Sequence, residues 1–157
     1  MQIYDWAGWS KWTSFDELAA NKFAGVIQTA GNYAIRTNKK GGIHRVSGTD
    51  DLGLLYVGES DRLRSRIYDF WDCIVHNGKD THVAGWRYNL VWMPECAPPD
   101  TLAVSWIKAA DKEGAVQVEL DMLLWYVLNH CELPPLNYKF GEKLADRVVE
   151  HWKLNPD

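Results

Sequence analysis

Glu119 is the residue whose position in the sequence most clearly requires a chemical partner. It lies in residues 114–130, where apolar side chains recur at helical spacing. On such a helix Glu119 lies about 40° past Leu123, at the boundary between the apolar face and solvent. A desolvated carboxylate costs free energy unless a cation pairs with it. A salt bridge to an arginine and a bound metal ion both meet this requirement, and the pattern alone slightly favours the salt bridge.

Four further polar residues lie in predicted elements or turns. Tyr33 and Tyr56 fall in two apolar strand patterns, where a tyrosine usually packs in the core with a satisfied hydroxyl. Arg66 lies at the edge of an apolar helical stripe, and Asn137 follows Pro-Pro-Leu. Taken singly, these residues are typical of core tyrosines, a surface arginine and a turn cap.

The order and spacing of these residues are more informative than their types. Gly31-Asn32-Tyr33 is followed by Leu55-Tyr56-Val57-Gly58-Glu59-Ser60, and then by Leu63 and Arg66, with Arg66 ten residues after Tyr56. Glu119 and Asn137 come later, in that order. The series resembles the GIY-YIG nuclease superfamily, in which Gly-x-Tyr and Tyr-x-Gly motifs on neighbouring strands precede an arginine, a glutamate and an asparagine. The resemblance covers about residues 31–138.

The resemblance implies both a fold and an activity. The fold would be of the α/β (α+β) class, with a small central three-stranded antiparallel sheet flanked by helices. The activity would be hydrolysis of phosphodiester bonds with Mg²⁺ or Mn²⁺ held by a single carboxylate, that of Glu119. Arg66 would neutralise charge that develops on the phosphate. Tyr33 and Tyr56 would converge on a water molecule that one of them positions or deprotonates, and Asn137 would orient these groups.

The sequence departs from the pattern of the superfamily near Arg66. Members commonly carry a tyrosine or histidine four residues later, and Phe70 in this position cannot transfer a proton. Tyr68 does not replace it, because two residues on a helix turn a side chain through about 200°. His44, in the long segment between the two motif strands, could approach from another direction, although a lone loop histidine is more often exposed. Glu59 takes a position where some relatives have lysine, and it would either assist the metal or weaken phosphate binding.

The net charge of −4 is unevenly distributed along the chain. Residues 31–66 hold seven Arg and Lys against four Asp and Glu, a net charge of +3, which leaves −7 on the rest. A solvated charged face explains such a segment, and so does contact with DNA backbone phosphates. The predicted nucleic-acid-binding residues are Arg36, Lys39, Lys40, His44, Arg45, Arg62 and Arg64, joined by the N-terminus of the helix near residue 62.

Hydrophobic periodicity predicts the elements that position these residues. Ser14-Phe15-Asp16-Glu17 is a capping box for a short helix to residue 20, preceded by tryptophans at positions 6, 9 and 12. Strands are predicted over residues 32–36, 54–57 and 101–107, with turns and a short extended segment at 43–46. Helices are predicted over residues 62–71, with Ser60 or Asp61 as N-cap, over 114–130 and over 142–152. Residues 83–93 fit either a helix or a strand.

Length and composition predict one domain. The 157 residues are 46% hydrophobic and 24% charged, so we interpret residues 1–157 as a single domain with an N-terminal tryptophan-rich helix and a C-terminal helix. The longest apolar run, residues 122–128, is too short to cross a membrane. Three scattered cysteines predict reduced thiols, and the first residues lack the pattern of a secretory signal, so a cytoplasmic location is expected.

The main functional hypothesis is a metal-dependent endonuclease of the restriction or repair type that hydrolyses DNA. One alternative is a catalytically inactive module on the same fold that binds nucleic acid or protein, which Phe70 and the acidic net charge favour. Another is an α/β domain that acts on a small substrate. Symmetric cutting of both DNA strands would need two active sites, most simply in a homodimer.

Overall fold

An antiparallel sheet runs through the middle of the molecule, in a computed structural model that describes residues 4–78, 81–91 and 93–154. The described strands are β1 (Thr13–Ser14), β2 (Gly31–Thr37), β3 (Ile43–Arg45), β4 (Gly48–Asp50), β5 (Leu54–Ser60) and β6 (Leu102–Lys108). Four of them form the main sheet in the order β1-β6-β2-β5, and β3 and β4 form a separate two-stranded hairpin. The fold is therefore a mixed α+β fold with β2 in the interior of the sheet and β5 at one edge.

The sheet has one strand more than the three that the sequence indicated. The additional strand is β1, in which Thr13 and Ser14 pair with Val104 and Ala103 of β6. Two residues are too short to show the alternation by which a strand is recognised in a sequence. The three longer strands, β2, β5 and β6, lie in the regions where strands were predicted.

Six α-helices are described: α1 (Phe15–Ala20), α2 (Leu63–His76), α3 (Val83–Leu90), α4 (Met93–Cys96), α5 (Lys112–His130) and α6 (Glu142–Leu154). The capping box before α1 is confirmed in part, because the side chain of Ser14 accepts a hydrogen bond from the amide of Glu17 at 3.2 Å. Residues 83–90 are helical, which resolves the choice between helix and strand. None of the helices in the described ranges is long and apolar enough to span a membrane.

The predicted N-cap of α2 is wrong. The N-cap is Arg62, whose side chain makes no capping hydrogen bond, and Ser60 instead accepts a hydrogen bond from the amide of Arg62. The first helical amides, those of Leu63 and Arg64, donate to the backbone carbonyls of Thr29 and Ile27 at 3.3 and 3.1 Å. A neighbouring loop thus supplies the acceptors that a polar cap would otherwise provide.

Helices cover both faces of the sheet. Tyr33 and Ile35 of β2 pack in the cluster that includes residues of α1, α2 and α3, whereas Ala34 packs in the cluster with α5 and α6. Tyr33 and Ile35 therefore share one face of β2. The strand is buried on both faces because β2 lies inside the sheet. Both α2 and α5 contact the edge strand β5.

Candidate active site

Two glycines allow the two motif tyrosines to lie close together. Gly58 lies directly opposite Tyr33 in the pairing of β2 with β5. A Cβ atom on Gly58 would lie 2.7 Å from the ring of Tyr56 and 3.0 Å from that of Tyr33, closer than packed side chains tolerate. A Cβ atom on Gly31 would lie 2.1 Å from the carbonyl oxygen of Ile107. Both motif glycines are therefore required by packing, and they let the tyrosine rings approach to 5.7 Å between centroids.

Tyr33 is fully buried, whereas Tyr56 is partly exposed and lines a cavity. Burial is the main cause that raises the pKa of Tyr33 well above 10 and the pKa of Tyr56 to about 12. The negative charge of Glu119 adds to the rise in the pKa of Tyr56. The guanidinium of Arg66 acts against the rise at both phenols, because a positive charge stabilises a phenolate.

The side chain of Arg66 on α2 is bound to the segment that follows the helix. Its Nη1 donates a hydrogen bond to the carbonyl oxygen of Thr81 at 3.2 Å. The side chain is partly exposed and lines a second cavity, of about 310 Å³, together with Glu59 and Lys112. The guanidinium therefore lies near enough to influence both phenols and is also open to a ligand from solvent.

Glu119 has no ion-pair partner among the described residues, so the salt bridge to an arginine that the sequence slightly favoured is not observed. Burial is the main cause that raises the pKa of its carboxyl from 4.5 to about 7, and the negative charge of Glu59 adds to the rise. Lys112 opposes the rise and forms an ion pair with Glu59. Glu119 is thus a carboxylate whose ionised form lacks a direct positive partner.

A cavity of about 710 Å³ brings Glu119, Tyr56 and Asn137 to one surface. Its remaining wall is formed by Leu120 and Leu123 of α5 and by residues 138–144, which lead into α6. A volume of this size is within the range of ligand-binding clefts. The predicted metal ligand and one of the predicted catalytic phenols therefore line the same cavity.

Asn137 is bound to the edge of the sheet. Its Nδ2 donates to the carbonyl oxygen of Val57 at 2.8 Å, and its Oδ1 accepts from the amide of Val57 at 2.9 Å. The side-chain amide thus occupies the backbone groups that an additional strand would pair with next to Tyr56. Since both of its polar atoms are used in this way, the geometry favours a positioning role for Asn137, not contact with substrate.

The sequence did not identify His82, which the structure places between the two phenols and α2. Its Nε2 lies 2.6 Å from the hydroxyl of Tyr33, and its ring centroid lies 5.6 Å from that of Tyr56. The buried Phe70 packs 5.2 Å from the same ring. The group four residues after Arg66 is therefore apolar, as the sequence indicated, and an imidazole from another element lies against it. The only signal available was a histidine just before a stretch that fitted both a helix and a strand.

His44 and Tyr68 do not supply this group. His44 is exposed on β3, and its neighbours in the hairpin bind the C-terminal end of α5 through Glu132. Glu119 lies about 16 Å along α5 from His130 at that end. Tyr68 is exposed and packs against Phe23 on the other side of α2, as the helical angle predicted.

Two of the predicted nucleic-acid-binding arginines are occupied by contacts within the protein. Arg45 forms an ion pair with Glu132 at 3.1 Å and a hydrogen bond with the carbonyl of Leu133. Arg64 donates from Nε and Nη2 to the carbonyls of Val26 and Ala24, each at 2.9 Å. Two amides at the N-terminus of α2 are likewise used by Thr29 and Ile27. These contacts argue against a direct phosphate-binding role for all three.

The other basic residues are divided between the two ends of β2. Arg36, Lys39 and Lys40 line a cavity of about 290 Å³ at one end, where Arg36 stacks on Trp12 at 4.4 Å. Arg62 lies beyond the other end, on the rim of the cavity that holds Arg66. Because β2 is seven residues long, Lys39 and Lys40 lie about 20 Å from Arg62. The basic segment of the sequence thus forms two patches and not one continuous surface.

Glu119 would have to hold a divalent cation with its single carboxylate and without help from a larger ligand set among the described residues. In residues 4–78, 81–91 and 93–154 no three His, Cys, Asp or Glu side chains come together as a ligand set. Mg²⁺ and Mn²⁺ bind oxygen ligands, and Mg²⁺ commonly retains several waters, so a single carboxylate suits it. The raised pKa of Glu119 shows a carboxyl whose ionised form a cation would stabilise.

Comparison of the chain with protein-family models, with curated protein sequences and with solved structures finds no match.

Proposed function

We propose that this protein is a metal-dependent endonuclease that hydrolyses phosphodiester bonds in DNA, through a site similar to that of the GIY-YIG nucleases. The observation that carries the proposal is the convergence of Tyr33, Tyr56, Arg66 and Glu119 beside the edge strand β5. These residues come from β2, β5, α2 and α5, and Tyr56 interacts electrostatically with both Arg66 and Glu119. The combination of a phenol, a guanidinium and an unpaired carboxylate suits charge development at a phosphate.

Tyr56 is the phenol in a position to act on water. It lines the large cavity, whereas Tyr33 is fully buried behind it. A general base must reach the proton that it removes, and only Tyr56 meets this condition. Because its pKa is about 12, its hydroxyl is protonated at neutral pH, and nearby positive charge is needed to favour its loss of a proton.

Arg66 supplies one such charge. It favours the phenolate at both tyrosines, and its position on the second cavity lets it bind a non-bridging oxygen of the substrate. Glu119 would hold Mg²⁺ or Mn²⁺, which when bound supplies Lewis acidity and offsets the carboxylate charge that now raises the pKa of Tyr56. Glu59 would lie close enough to add negative charge at this cation, since it already influences Glu119.

DNA is the proposed substrate because exposed cations flank the site at a spacing that suits a polymer. Arg62 lies beyond one end of β2, next to Arg66 of the site, and Lys39 and Lys40 lie beyond the other end, about 20 Å away. Contacts with backbone phosphates position a duplex without regard to its sequence. A homodimer and a cytoplasmic location remain predictions of this account.

The test is cleavage of supercoiled plasmid with Mg²⁺ or Mn²⁺ and with EDTA. Wild type is expected to nick the plasmid only with the metal, and Glu119→Gln and Arg66→Ala are each expected to lose at least about 100-fold in rate. Glu113→Gln on the exposed side of α5 and Lys153→Ala at the exposed end of α6 are the controls, and both should cleave as wild type does.

If wild type binds DNA but neither metal supports cleavage, the protein is a binding module on this fold and the proposal is wrong. If Glu119→Gln and Arg66→Ala cleave as fast as Glu113→Gln and Lys153→Ala, the site has been assigned to the wrong residues.

A further inference from the structure

His82 makes two hydrogen bonds that together define its protonation. It is buried, and its pKa is lowered to about 3, mainly by burial and also by the charge of Arg66, so the imidazole is neutral at pH 7. A neutral imidazole has one donor nitrogen and one acceptor nitrogen. Nδ1 lies 3.3 Å from the backbone amide of Gly85, which can only donate. Nδ1 is therefore the acceptor, and the proton resides on Nε2.

The proton on Nε2 determines how Tyr33 is oriented. Nε2 lies 2.6 Å from the hydroxyl oxygen of Tyr33, so His82 donates and the oxygen of Tyr33 accepts. The hydroxyl proton of Tyr33 must then point to another acceptor. The phenol of Tyr56 is the neighbouring hydroxyl group, with 5.7 Å between the two ring centroids.

We propose that His82 is a positioning residue that fixes the direction of a hydrogen-bond chain running from the Gly85 amide through His82 to Tyr33, and so turns the hydroxyl proton of Tyr33 away from the imidazole and towards Tyr56. A hydroxyl proton that faces Tyr56 favours a phenolate on Tyr56, the phenol that lines the cavity. Tyr33 supports the resulting phenolate and keeps its own proton. The catalytic meaning of this chain rests on the proposed nuclease function, whereas its direction does not.

Two substitutions separate this role from a purely structural one. His82 is also the N-cap of α3, through the bond between Nδ1 and the Gly85 amide. In His82→Asn the side-chain oxygen replaces Nδ1 as the cap acceptor, but the side chain is too short to reach Tyr33. In His82→Gln the amide nitrogen replaces Nε2 as a donor to Tyr33, but the cap is lost. His76→Asn on α2, an exposed histidine, is the control.

The first measurement is a long-range ¹H–¹⁵N correlation of the histidine rings in the intact wild-type protein. We expect His82 to be neutral at pH 7, with the proton on Nε2. A proton on Nδ1, or on both nitrogens, would overturn the proposed direction whether or not the protein cleaves DNA.

The second measurement is plasmid cleavage combined with thermal unfolding. His82→Asn should unfold within a few degrees of wild type and lose at least about 10-fold in cleavage rate, whereas His82→Gln should be less stable yet cleave faster than His82→Asn. The proposal is wrong if His82→Asn cleaves as His76→Asn does, or if activity follows stability across the set. Should wild type itself be inactive, the nuclease function fails, and the ring protonation still decides the direction of the chain.

Discussion

Replacing Glu119 by glutamine should make the metal-free protein more stable at pH 8. The folded state raises the pKa of this carboxyl from 4.5 to about 7, mainly because the side chain is buried. Folding therefore favours the protonated form, and the stability present below about pH 4.5 is lost as the pH rises through 7. Glutamine has a similar shape and carries no charge, so it avoids this loss.

The expected size of the effect follows from the pKa. A rise from 4.5 to about 7 corresponds to about 3 kcal/mol at pH 8, and this is an upper value because the adjoining cavity admits water. We expect Glu119→Gln to unfold with a free energy about 1–3 kcal/mol higher than wild type at pH 8. At pH 4.5 the difference should largely disappear, because the wild-type side chain is then mostly protonated in the folded protein.

Urea unfolding at the two pH values, in EDTA, measures this difference. Glu113→Gln makes the same chemical change at an exposed position of α5 and should differ little from wild type. Adding Mg²⁺ at pH 8 should raise the unfolding temperature of wild type but not that of Glu119→Gln, because a cation stabilises only the ionised carboxylate. A Glu119→Gln variant that is less stable than wild type at pH 8 would refute this description of the site.

Three further predictions concern Gly58 and Asn137, which position the site residues, and the binding of DNA. Gly58→Ala should lower the free energy of unfolding by about 1–3 kcal/mol and slow cleavage, because its Cβ would meet the rings of Tyr56 and Tyr33, whereas Gly25→Ala, with open space around it, should do neither. Asn137→Ala should cost about 1–3 kcal/mol and speed hydrogen exchange at the amide of Val57, which loses its acceptor; unchanged exchange there would contradict the observed pairing. The double change Lys39→Ala and Lys40→Ala should weaken DNA binding and reduce the slope of log K against log salt by up to about 2, measured by fluorescence anisotropy. An unchanged slope would place the DNA elsewhere.

The regular elements were predictable because their signals are local. The helix predicted over residues 114–130 is α5, which begins two residues earlier at Lys112, and the strand over 54–57 continues to Ser60. Apolar residues that recur every 3.6 residues in a helix, or every 2 in a strand, indicate the buried face of that element, whatever it packs against in the fold. The glycines of the two motifs also have a packing reason, since a Cβ atom on Gly31 or Gly58 would clash with its neighbours.

The predictions that were wrong concern groups whose hydrogen-bond partners lie far away in the sequence. The amides at the start of α2 bind Thr29 and Ile27, and Arg64 binds the carbonyl of Val26. Any residue type can accept a hydrogen bond through its backbone carbonyl, so the sequence does not show where such acceptors lie. The sequence therefore predicted a polar N-cap for α2 and a free side chain for Arg64. His82 was missed for the same reason, because its bond to Tyr33 joins residues 49 positions apart.

The proposed hydrolysis depends on the hydroxyl group of Tyr56. Tyr56→Phe removes this group and keeps the ring that packs against Tyr33 and Phe70. The deciding measurement is the rate of plasmid nicking by this variant in Mg²⁺, beside Tyr68→Phe, which makes the same change on the exposed face of α2. We predict a loss of about 10²–10⁴-fold for Tyr56→Phe and none for Tyr68→Phe. Equal rates for wild type and both variants would show that this phenol does not carry the reaction.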